Sequence, residues 1–364
     1  MRRKNAERQE KSRNRKLLSE KMKKLLNTLF VTTQGAYLCH EGEAVLVRVE
    51  KETKLRVPIH TLGSIVCFGQ VSCSPPLMGL CGERGVHISF LSERGQFHAR
   101  VHGPVSGNVL LRKEQYRRSG DGKQRLEIAR PIVIGKIANS RTVLQRFIRD
   151  HGNEENEREM NGAVQYLGRL IKETDKVDSI EILRGKEGEA ANVYFQMFDR
   201  MITSQKEDFF FKARSRRPPL DNTNALLSFI YTLLAHDAES ALESVGLDPQ
   251  VGFLHADRPG RPGLALDLME EFRPFLADRL ALSLVNLKQI QGKGFKTEES
   301  GAVTMDDETR KTLLVAYQKR KQEEILHPFI EETISVGLLF YVQALLLARF
   351  LRGDLDGYPP FIWK

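Results

Sequence analysis

The sequence predicts an α+β protein in which a small N-terminal β-sandwich domain (residues 22–103) is followed by a linker (104–108) and a larger all-helical domain (109–364). Three observations support this prediction. Short runs of β-branched and aromatic residues fill the first part of the chain, a break containing Gly and Pro follows, and helical periodicity dominates from there on. The 364 residues allow two domains of roughly 100–200 residues each.

The predicted sandwich consists of short runs, several of them separated by turns that contain glycine. Six runs are predicted strands: Thr28–Thr33, Ala44–Val49, Leu55–Ile59, Ser64–Phe68, Val86–Phe90 and Phe97–Val101. One short helix that begins at a proline is expected within Pro75–Gly82. His102–Asn108 has the Gly, Pro and Ser content of a linker.

Beyond the linker, apolar residues recur at three- and four-residue intervals, which is typical of amphipathic helices. Pro131–Arg149 is a predicted helix with a proline in its first turn. Phe295–Met305 is a candidate β-hairpin because Ser300 and Gly301 interrupt it. Further helices are predicted at 156–173, 178–202, 222–244, 264–291, 306–322 and 328–352.

The net charge of +9 lies almost wholly in residues 1–24, which hold 11 Lys or Arg and 3 Glu. The rest of the chain carries only +1, so overall charge gives little support to nucleic-acid binding. Residues 1–21 are predicted to be a basic extension without fixed structure. Met22 is a candidate alternative start.

Several features favour a cytoplasmic protein. The first 16 residues are polar and basic and lack the apolar stretch of a secretion signal. The longest apolar run, Ile334–Ala348, is shorter than the roughly 20 residues of a membrane span, so we expect a buried helix and no membrane contact. The cysteines lack a Cys-x-x-Cys pair and are interpreted as small core residues in a reducing compartment: Cys39, Cys67, Cys73 and Cys81.

Glu187 is the first candidate functional residue. If its segment is helical, Glu187 shares a face with Ala191, Tyr194 and Phe195. A carboxylate on such an apolar stripe is costly to bury unless it meets a cation or a metal ion. Two interpretations stay open from the residues alone: a functional carboxylate, or a helix N-terminal cap that the helix dipole favours.

His255 precedes the turn-forming run Pro259–Gly263, which favours a loop side chain aimed into a cleft. Asp267 and Glu270 follow, three positions apart, on one predicted helical face. Two carboxylates and an imidazole suit Mg²⁺ or Mn²⁺ bound together with water and phosphate oxygens. The alternatives are a structural histidine and a solvated acidic face paired to Arg273.

Several sequence blocks recur in the order and with the gaps of a known family. They are Gly103–Arg112, Arg184–Ala191, Asp221–Phe229, Gly252–His255 and Asp267–Pro274. On these blocks the sequence resembles the CRISPR-associated integrase, the large subunit that inserts new spacers into the repeat array, and most closely its I-C subtype. The resemblance covers roughly residues 23–364, and residues 1–21 have no counterpart.

The resemblance implies an N-terminal β-sandwich, a helical catalytic domain and a homodimer. It implies that Glu187, His255 and Glu270 are the catalytic residues and hold the metal, Mg²⁺ or Mn²⁺, with Asp in some relatives at the third place. Asp267 would support these ligands from behind, and Arg258 would lie near the substrate phosphate.

The implied reaction is a transesterification in which a DNA 3′-hydroxyl attacks a phosphodiester of the repeat. DNA backbone contacts should come from Lys and Arg. The basic run Lys212–Arg217 is a candidate for such contacts, with a solvated loop as the alternative; its basic residues are Lys212, Arg214, Arg216 and Arg217.

Implied partners are double-stranded DNA (the incoming fragment and the repeat array), a small ferredoxin-like companion whose dimer lies between two integrase dimers, and an iron–sulfur RecB-type nuclease. Two other functions stay open. One is a metal-dependent nuclease that cuts DNA without integrating it, and the other is a non-catalytic DNA-architectural subunit.

Overall fold

The computed structural model describes residues 27–363 except 93–96, 102, 104–108 and 152–153. The chain forms two compact units. The first takes in the described residues of Met1–Val105, Lys321–Glu323 and Ser335–Leu338, and the second takes in those of Ser106–Arg320, Glu324–Ile334 and Leu339–Lys364. The predicted basic extension (1–21) and linker (104–108) lie outside the described residues.

In its described residues, the first unit contains two four-stranded sheets and one α-helix. Its strands are β1 Asn27–Val31, β2 Tyr37–Glu41, β3 Ala44–Val49, β4 Glu52–Pro58, β5 Leu62–Phe68, β6 Ser72–Cys73, β7 His87–Leu91 and β8 Phe97–Val101. One sheet has the order β1-β5-β7-β8, with only β8 antiparallel to its neighbour. The other has the order β4-β3-β2-β6, with only β6 parallel to its neighbour.

Both sheets and helix α1 (Pro75–Arg84) contribute to one hydrophobic core, in which Leu38, Ile65 and Leu77 are fully buried. All four cysteines are free thiols, and Cys67 and Cys81 lie in this core, as small apolar residues would. The predicted β-rich N-terminal domain is therefore present, and the face-to-face sandwich arrangement of its sheets stays a prediction.

The second unit is mainly helical. Its α-helices are α2 Val109–Gly120, α3 Gly122–His151, α4 Glu154–Thr174, α5 Ile180–Gln196, α6 Asn222–Ser244, α7 Gly263–Met269, α8 Arg279–Asn286, α9 Asp307–Gln322 and α10 Leu339–Leu351. A π-helical segment, Arg273–Asp278, lies between α7 and α8. Short 3-10 turns occur in this unit at Asp199–Met201 and Gly292–Gly294, and in the first unit at Ile59–Thr61 and Val336–Leu338.

The prediction of an all-helical domain was wrong in one respect, because the later chain also forms two short hairpins. The candidate hairpin is present as strands β9 (Phe295–Thr297) and β10 (Val303–Met305). A second pair, β11 (Glu324–Leu326) and β12 (Thr333–Ser335), was not predicted. Strand β12 of this pair lies within the segment predicted to be a helix at 328–352.

Two helix predictions needed other corrections. Helix α3 starts before Pro131, which lies inside it, because Asp121 Oδ1 accepts hydrogen bonds from the backbone N–H groups of Lys123 (2.9 Å) and Gln124 (3.0 Å). The helix predicted at 264–291 is interrupted near Pro274, which has no N–H to donate to the preceding turn. Among the described residues, none of the helices is long and apolar enough to span a bilayer.

Candidate active site

Glu187 lies in the middle of α5. This helix begins at Ser179, whose Oγ accepts a hydrogen bond from the backbone N–H of Ile182 (3.2 Å). The interpretation of Glu187 as an N-terminal cap was therefore wrong. The Glu187 side chain is 25% exposed, and its Oε1 pairs with Nζ of Lys136, which comes from α3.

Glu270 directly follows α7, and its side chain is only 2% exposed. Lys136 Nζ lies 2.7 Å from its Oε2, and Arg273 Nη1 lies 3.0 Å from its Oε1. Burial alone would raise the pKa of Glu270, but the charges of Arg273 and Lys136 outweigh burial and lower this pKa to about 2. The interpretation of Asp267 and Glu270 as a solvated acidic face was therefore wrong, although the ion pair with Arg273 that it included is present.

Lys136 is a residue of the site that the sequence analysis missed. Its side chain is 10% exposed and its ammonium contacts both Glu187 and Glu270. Burial opposes its charge, yet the two carboxylates, Glu270 foremost, raise the pKa of Lys136. A signal was present in the sequence, because Lys136 shares the apolar stripe of α3 with Ile132, where a charged residue needs a partner.

Asp267 is fully buried and binds the loop that carries His255. Its Oδ2 accepts hydrogen bonds from the backbone N–H groups of Phe253 (2.6 Å) and Leu254 (2.9 Å). Its Oδ1 accepts from the backbone N–H of His255 (2.9 Å) and contacts the ring Nδ1 of His255 at 2.7 Å. The loop comes this close because Gly252 has no Cβ; one built there would lie 3.0 Å from Asp267 Oδ2.

Two arginines from separate helices bind backbone carbonyl groups of the same loop. Arg125 of α3 donates to the carbonyl oxygen of Phe253, and Arg184 of α5 donates to that of Leu254 at 2.8 Å. The backbone around His255 is therefore fixed on both sides, by a carboxylate through its N–H groups and by guanidinium groups through its carbonyls.

The Asp267 contact also determines which nitrogen of His255 is available. Because Asp267 accepts hydrogen bonds here, Nδ1 carries a proton and Nε2 is left to bind a ligand. His255 Nε2 lies 3.9 Å from Glu270 Oε1. The structure therefore brings Glu187, Glu270 and His255 into one cluster, with Asp267 behind the histidine.

In this structure the carboxylates of the cluster are bridged by the ammonium group of Lys136 and are not arranged around a common metal position. Within the described chain, no group of three or more His, Cys, Asp or Glu side chains is positioned to hold a metal ion. Lys136 supplies the positive charge between Glu187 and Glu270 instead. The assignment of Glu187, His255 and Glu270 as metal ligands stays a prediction.

The predicted DNA contacts fall into two groups. Lys212, Arg216, Arg217 and Arg258 are exposed. Arg214 instead points inward, donating to Asn224 Oδ1 (2.6 Å) and Ser228 Oγ (3.0 Å), which indicates a structural role.

Arg261 is another basic residue that the sequence analysis did not single out. Its pKa is lowered by burial and by the positive charges of Arg258, Arg184 and Arg216. Arg258, Arg184 and Arg216 therefore each lie close enough to Arg261 to repel its charge, next to the loop of His255. Such a concentration of positive charge is suited to phosphate groups.

Two buried carboxyl groups flank the site. Burial raises the pKa of Glu271 to about 8, although it accepts hydrogen bonds from Tyr358 Oη (2.7 Å) and the backbone N–H of Phe361 (2.7 Å). Burial also raises the pKa of Asp278 to about 6, although Tyr231 Oη donates to it at 2.6 Å. Neither group was predicted, because both partners are distant in sequence.

Asn139 of α3 fastens the C-terminal segment beside Glu271. Its amide nitrogen donates to the carbonyl oxygens of Glu271 (2.7 Å) and Phe361 (2.9 Å), and its oxygen accepts from the backbone N–H of Trp363 (2.8 Å). Asn139 is fully buried, so each of these bonds replaces water that the site excludes.

Comparison with known proteins gives the family of this chain. Residues 29–319 match the family model described as CRISPR associated protein Cas1. The chain belongs to the Cas1 family. A CRISPR-associated endonuclease Cas1 of Chlorobaculum tepidum is 55% identical over 343 residues, which are 94% of this chain and 100% of the relative. Another from Rhodospirillum rubrum is 52% identical over 347 residues, again 94% of this chain and 100% of the relative.

Two more distant relatives, one of which is a fusion protein, also match most of this chain. A Cas4 exonuclease–Cas1 endonuclease fusion of Geobacter sulfurreducens is 35% identical over 339 residues, 92% of this chain and 60% of the fusion. The solved CAS1 protein of Thermotoga maritima has a TM-score of 0.77 at 25% identity, covering 91% of this chain and 99% of that one.

Two further solved structures share the fold alone. A casposase bound to integration product has a TM-score of 0.78 at 20% identity, covering 93% of this chain and 94% of that one. A chain of a Cas6-RT-Cas1–Cas2 complex has a TM-score of 0.77 at 22% identity, covering 93% of this chain and 36% of that one. The mixed α+β Cas1 fold, with a β-rich N-terminal domain and a helical C-terminal domain, is therefore established for this chain.

Proposed function

We propose that this Cas1 protein is a metal-dependent DNA integrase of CRISPR adaptation. It joins short DNA fragments into the repeat array by transesterification, and it has an associated DNA endonuclease activity. The observation that carries the proposal is the convergence of Glu187, Glu270 and His255 beside one buried cation. The endonuclease names of the relatives and the integration product of the casposase support it.

Glu187, His255 and Glu270 would hold Mg²⁺ or Mn²⁺. Their donor atoms suit such an ion because both carboxylates already face one cationic nitrogen, and because Asp267 leaves Nε2 of His255 available. Carboxylate oxygens with one imidazole form a suitable donor set for these ions. When bound, the ion would polarise a phosphoryl oxygen and stabilise the charge that develops on it.

The main task of the chain itself is to position two DNAs. The 3′-hydroxyl of one strand must lie in line with the phosphodiester that it attacks, and holding both strands raises their effective concentration. Arg258 and Arg216 are exposed and lie near Arg261, so they would bind backbone phosphates beside His255. Lys212 and Arg217 would extend this basic surface.

The proposed partners follow from the family. Double-stranded DNA, as fragment and as repeat array, is the substrate. The solved complex that contains Cas2 supports a small ferredoxin-like companion, and the Cas4 fusion supports an iron–sulfur RecB-type nuclease. A homodimer, the I-C subtype and a cytoplasmic location belong to the same proposal.

A single-turnover joining assay tests this function. Full-length protein is mixed with Mn²⁺, a repeat-bearing plasmid and a short labelled duplex, and covalent joining of the label to the plasmid is measured. We expect Glu187→Gln and Glu270→Gln to reduce joining by about 100-fold or more while DNA binding is retained. The matched control is Glu189→Gln, on the same helix, because Glu189 pairs with Lys186 rather than with the cluster.

The same assay distinguishes the alternatives. A nuclease without integration would cut the plasmid but leave the label unjoined. A non-catalytic architectural subunit would bind DNA without joining it in this assay, and any joining that it supports together with a separate catalytic partner would be unchanged when His255 is replaced by Ala. Full joining by the Glu187→Gln and Glu270→Gln variants in Mn²⁺ would refute the ligand assignment.

A further inference from the structure

We propose that Lys136 is a built-in counter-cation that holds Glu187 and Glu270 together in the metal-free protein and competes with the divalent ion for the place between them. The inference rests on the proposed function in taking these two carboxylates as metal ligands. It adds a residue that opposes metal binding rather than supporting it.

The ammonium group of Lys136 lies against both of the predicted carboxylate ligands. Lys136 Nζ contacts Glu187 Oε1 and lies 2.7 Å from Glu270 Oε2. It reaches them from α3, a helix that supplies none of the predicted ligands, and its side chain is largely shielded from water. The ammonium group thus lies where both carboxylates contact the same cation.

The charges of the cluster are close to balanced before an ion binds. Glu187, Glu270 and the nearby Asp267 carry three negative charges, and Lys136 and Arg273 offset two of them. A divalent ion placed among them would leave an excess of positive charge in a buried site, which is unfavourable. One of the two cations must therefore move away when the ion binds.

Lys136, rather than Arg273, is the cation that moves. Arg273 pairs with the other oxygen of Glu270, Oε1, and its guanidinium lies 4.9 Å from the ring centre of Tyr231, so it is fixed by two contacts. Lysine carries a compact charge on a flexible four-carbon stem. Lys136 is also the cation that lies between the carboxylates, so its displacement opens the place that an ion needs.

A lysine that competes with the metal differs from an ordinary ion-pair lysine in its effect on metal affinity. A lysine that only stabilises the fold would, when removed, weaken the protein and leave metal affinity the same or lower. A competing lysine would, when removed, weaken the metal-free protein and tighten metal binding, because the ion no longer has to break two buried ion pairs. Opposite changes in the two quantities are the distinguishing result.

The experiment is a calorimetric titration of full-length protein with Mn²⁺, together with thermal unfolding in the absence and presence of Mn²⁺. For Lys136→Met we expect the apparent Kd for Mn²⁺ to fall at least about tenfold, the lower end of changes caused by residues around metal ligands. The Tm of the metal-free variant should fall by several degrees, and its rise on adding Mn²⁺ should exceed that of the wild type.

The matched control is Lys186→Met. Lys186 also joins two carboxylates, with Nζ at 2.7 Å from Glu173 and 3.2 Å from Glu189, but it contacts neither predicted ligand. We expect its Mn²⁺ affinity to equal that of the wild type. If Lys136→Met does not fold, Lys136→Gln removes the same charge and is measured in the same way.

The outcomes separate the two proposals. If Glu270→Gln leaves Mn²⁺ binding unchanged, the ligand assignment of the proposed function fails. If Glu270→Gln weakens binding but removal of the Lys136 charge leaves the affinity equal or lower, the ligand assignment stands and the role of Lys136 as competitor is overturned.

Discussion

Replacing Asp267 with Asn tests how the histidine of the site is held. Each carboxylate oxygen of Asp267 contacts two nitrogens of the His255 loop: Oδ2 those of Phe253 and Leu254, and Oδ1 both the backbone nitrogen and the ring Nδ1 of His255. Asparagine offers one oxygen and one NH₂ group. Whichever way the amide is turned, its nitrogen faces two groups that also donate.

The number of hydrogen bonds that Asp267→Asn removes determines the expected loss of stability. Two hydrogen bonds to a charged group are lost, at about 1.5–3 kcal/mol each, so the free energy of unfolding should fall by about 3–6 kcal/mol. For a domain of this size each kcal/mol shifts Tm by roughly 2–4 °C, so a decrease of about 6–24 °C is expected. Mn²⁺ affinity should fall by about 10–100-fold, because the orientation of His255 is no longer fixed.

The assay combines thermal unfolding with Mn²⁺ titration, and Asp248→Asn is the control. Asp248 also accepts two hydrogen bonds, from Gln250 N (2.8 Å) and Tyr116 Oη (2.7 Å), but it lies before the His255 loop and is partly exposed. Its replacement should reduce stability by about 1 kcal/mol and leave Mn²⁺ affinity unchanged. Equal effects of the two substitutions on Tm and on Mn²⁺ affinity would refute the role given to Asp267.

Three further predictions follow from the same structure. Asn139→Ala should lower the free energy of unfolding in urea by about 3 kcal/mol, because three buried backbone groups lose their partner; a loss below about 1 kcal/mol would contradict this. The raised pKa of Asp278, about 6 in the folded protein, means that its stabilising contribution is present at low pH and is lost as pH rises through 6. Asp278→Asn should therefore reduce the decline in stability between pH 4 and pH 7, and an identical decline would be evidence against a buried, protonated carboxyl group. Arg216→Ala should weaken DNA binding and reduce the slope of log K against log salt concentration by about 0.9, without changing Tm. Arg214→Ala should instead lower Tm, because Arg214 binds Asn224 and Ser228 inside the protein. A lower Tm for Arg216→Ala together with weaker DNA binding for Arg214→Ala alone would contradict these two roles.

The sequence predicted those features that depend on local pattern. Apolar periodicity located α6 at 222–244, and the Ser300-Gly301 turn located the hairpin of β9 and β10. The turn residues after His255 correctly placed that histidine in a loop. The approach of Glu187, His255 and Glu270 to one another was expected from the family resemblance rather than from spacing, because no local pattern links α5 to the loop before α7.

Features that depend on contacts between distant segments were missed. Lys136 has its partners on other helices, so its place in an apolar stripe indicated a partner without identifying it. Pro131 lies inside α3 although a proline usually marks a helix start, because the start is fixed by Asp121 instead. Glu271 and Asp278 are buried acids whose surroundings only the tertiary structure reveals.

The most direct test of the central claim is a crystal structure of the protein with Mn²⁺, using anomalous scattering to locate the ion. We predict one anomalous peak bound by Glu187, Glu270 and Nε2 of His255, with Lys136 Nζ no longer between the two carboxylates. A peak at other residues, or an unchanged Lys136 ion pair beside Glu187 and Glu270 at saturating Mn²⁺, would contradict it.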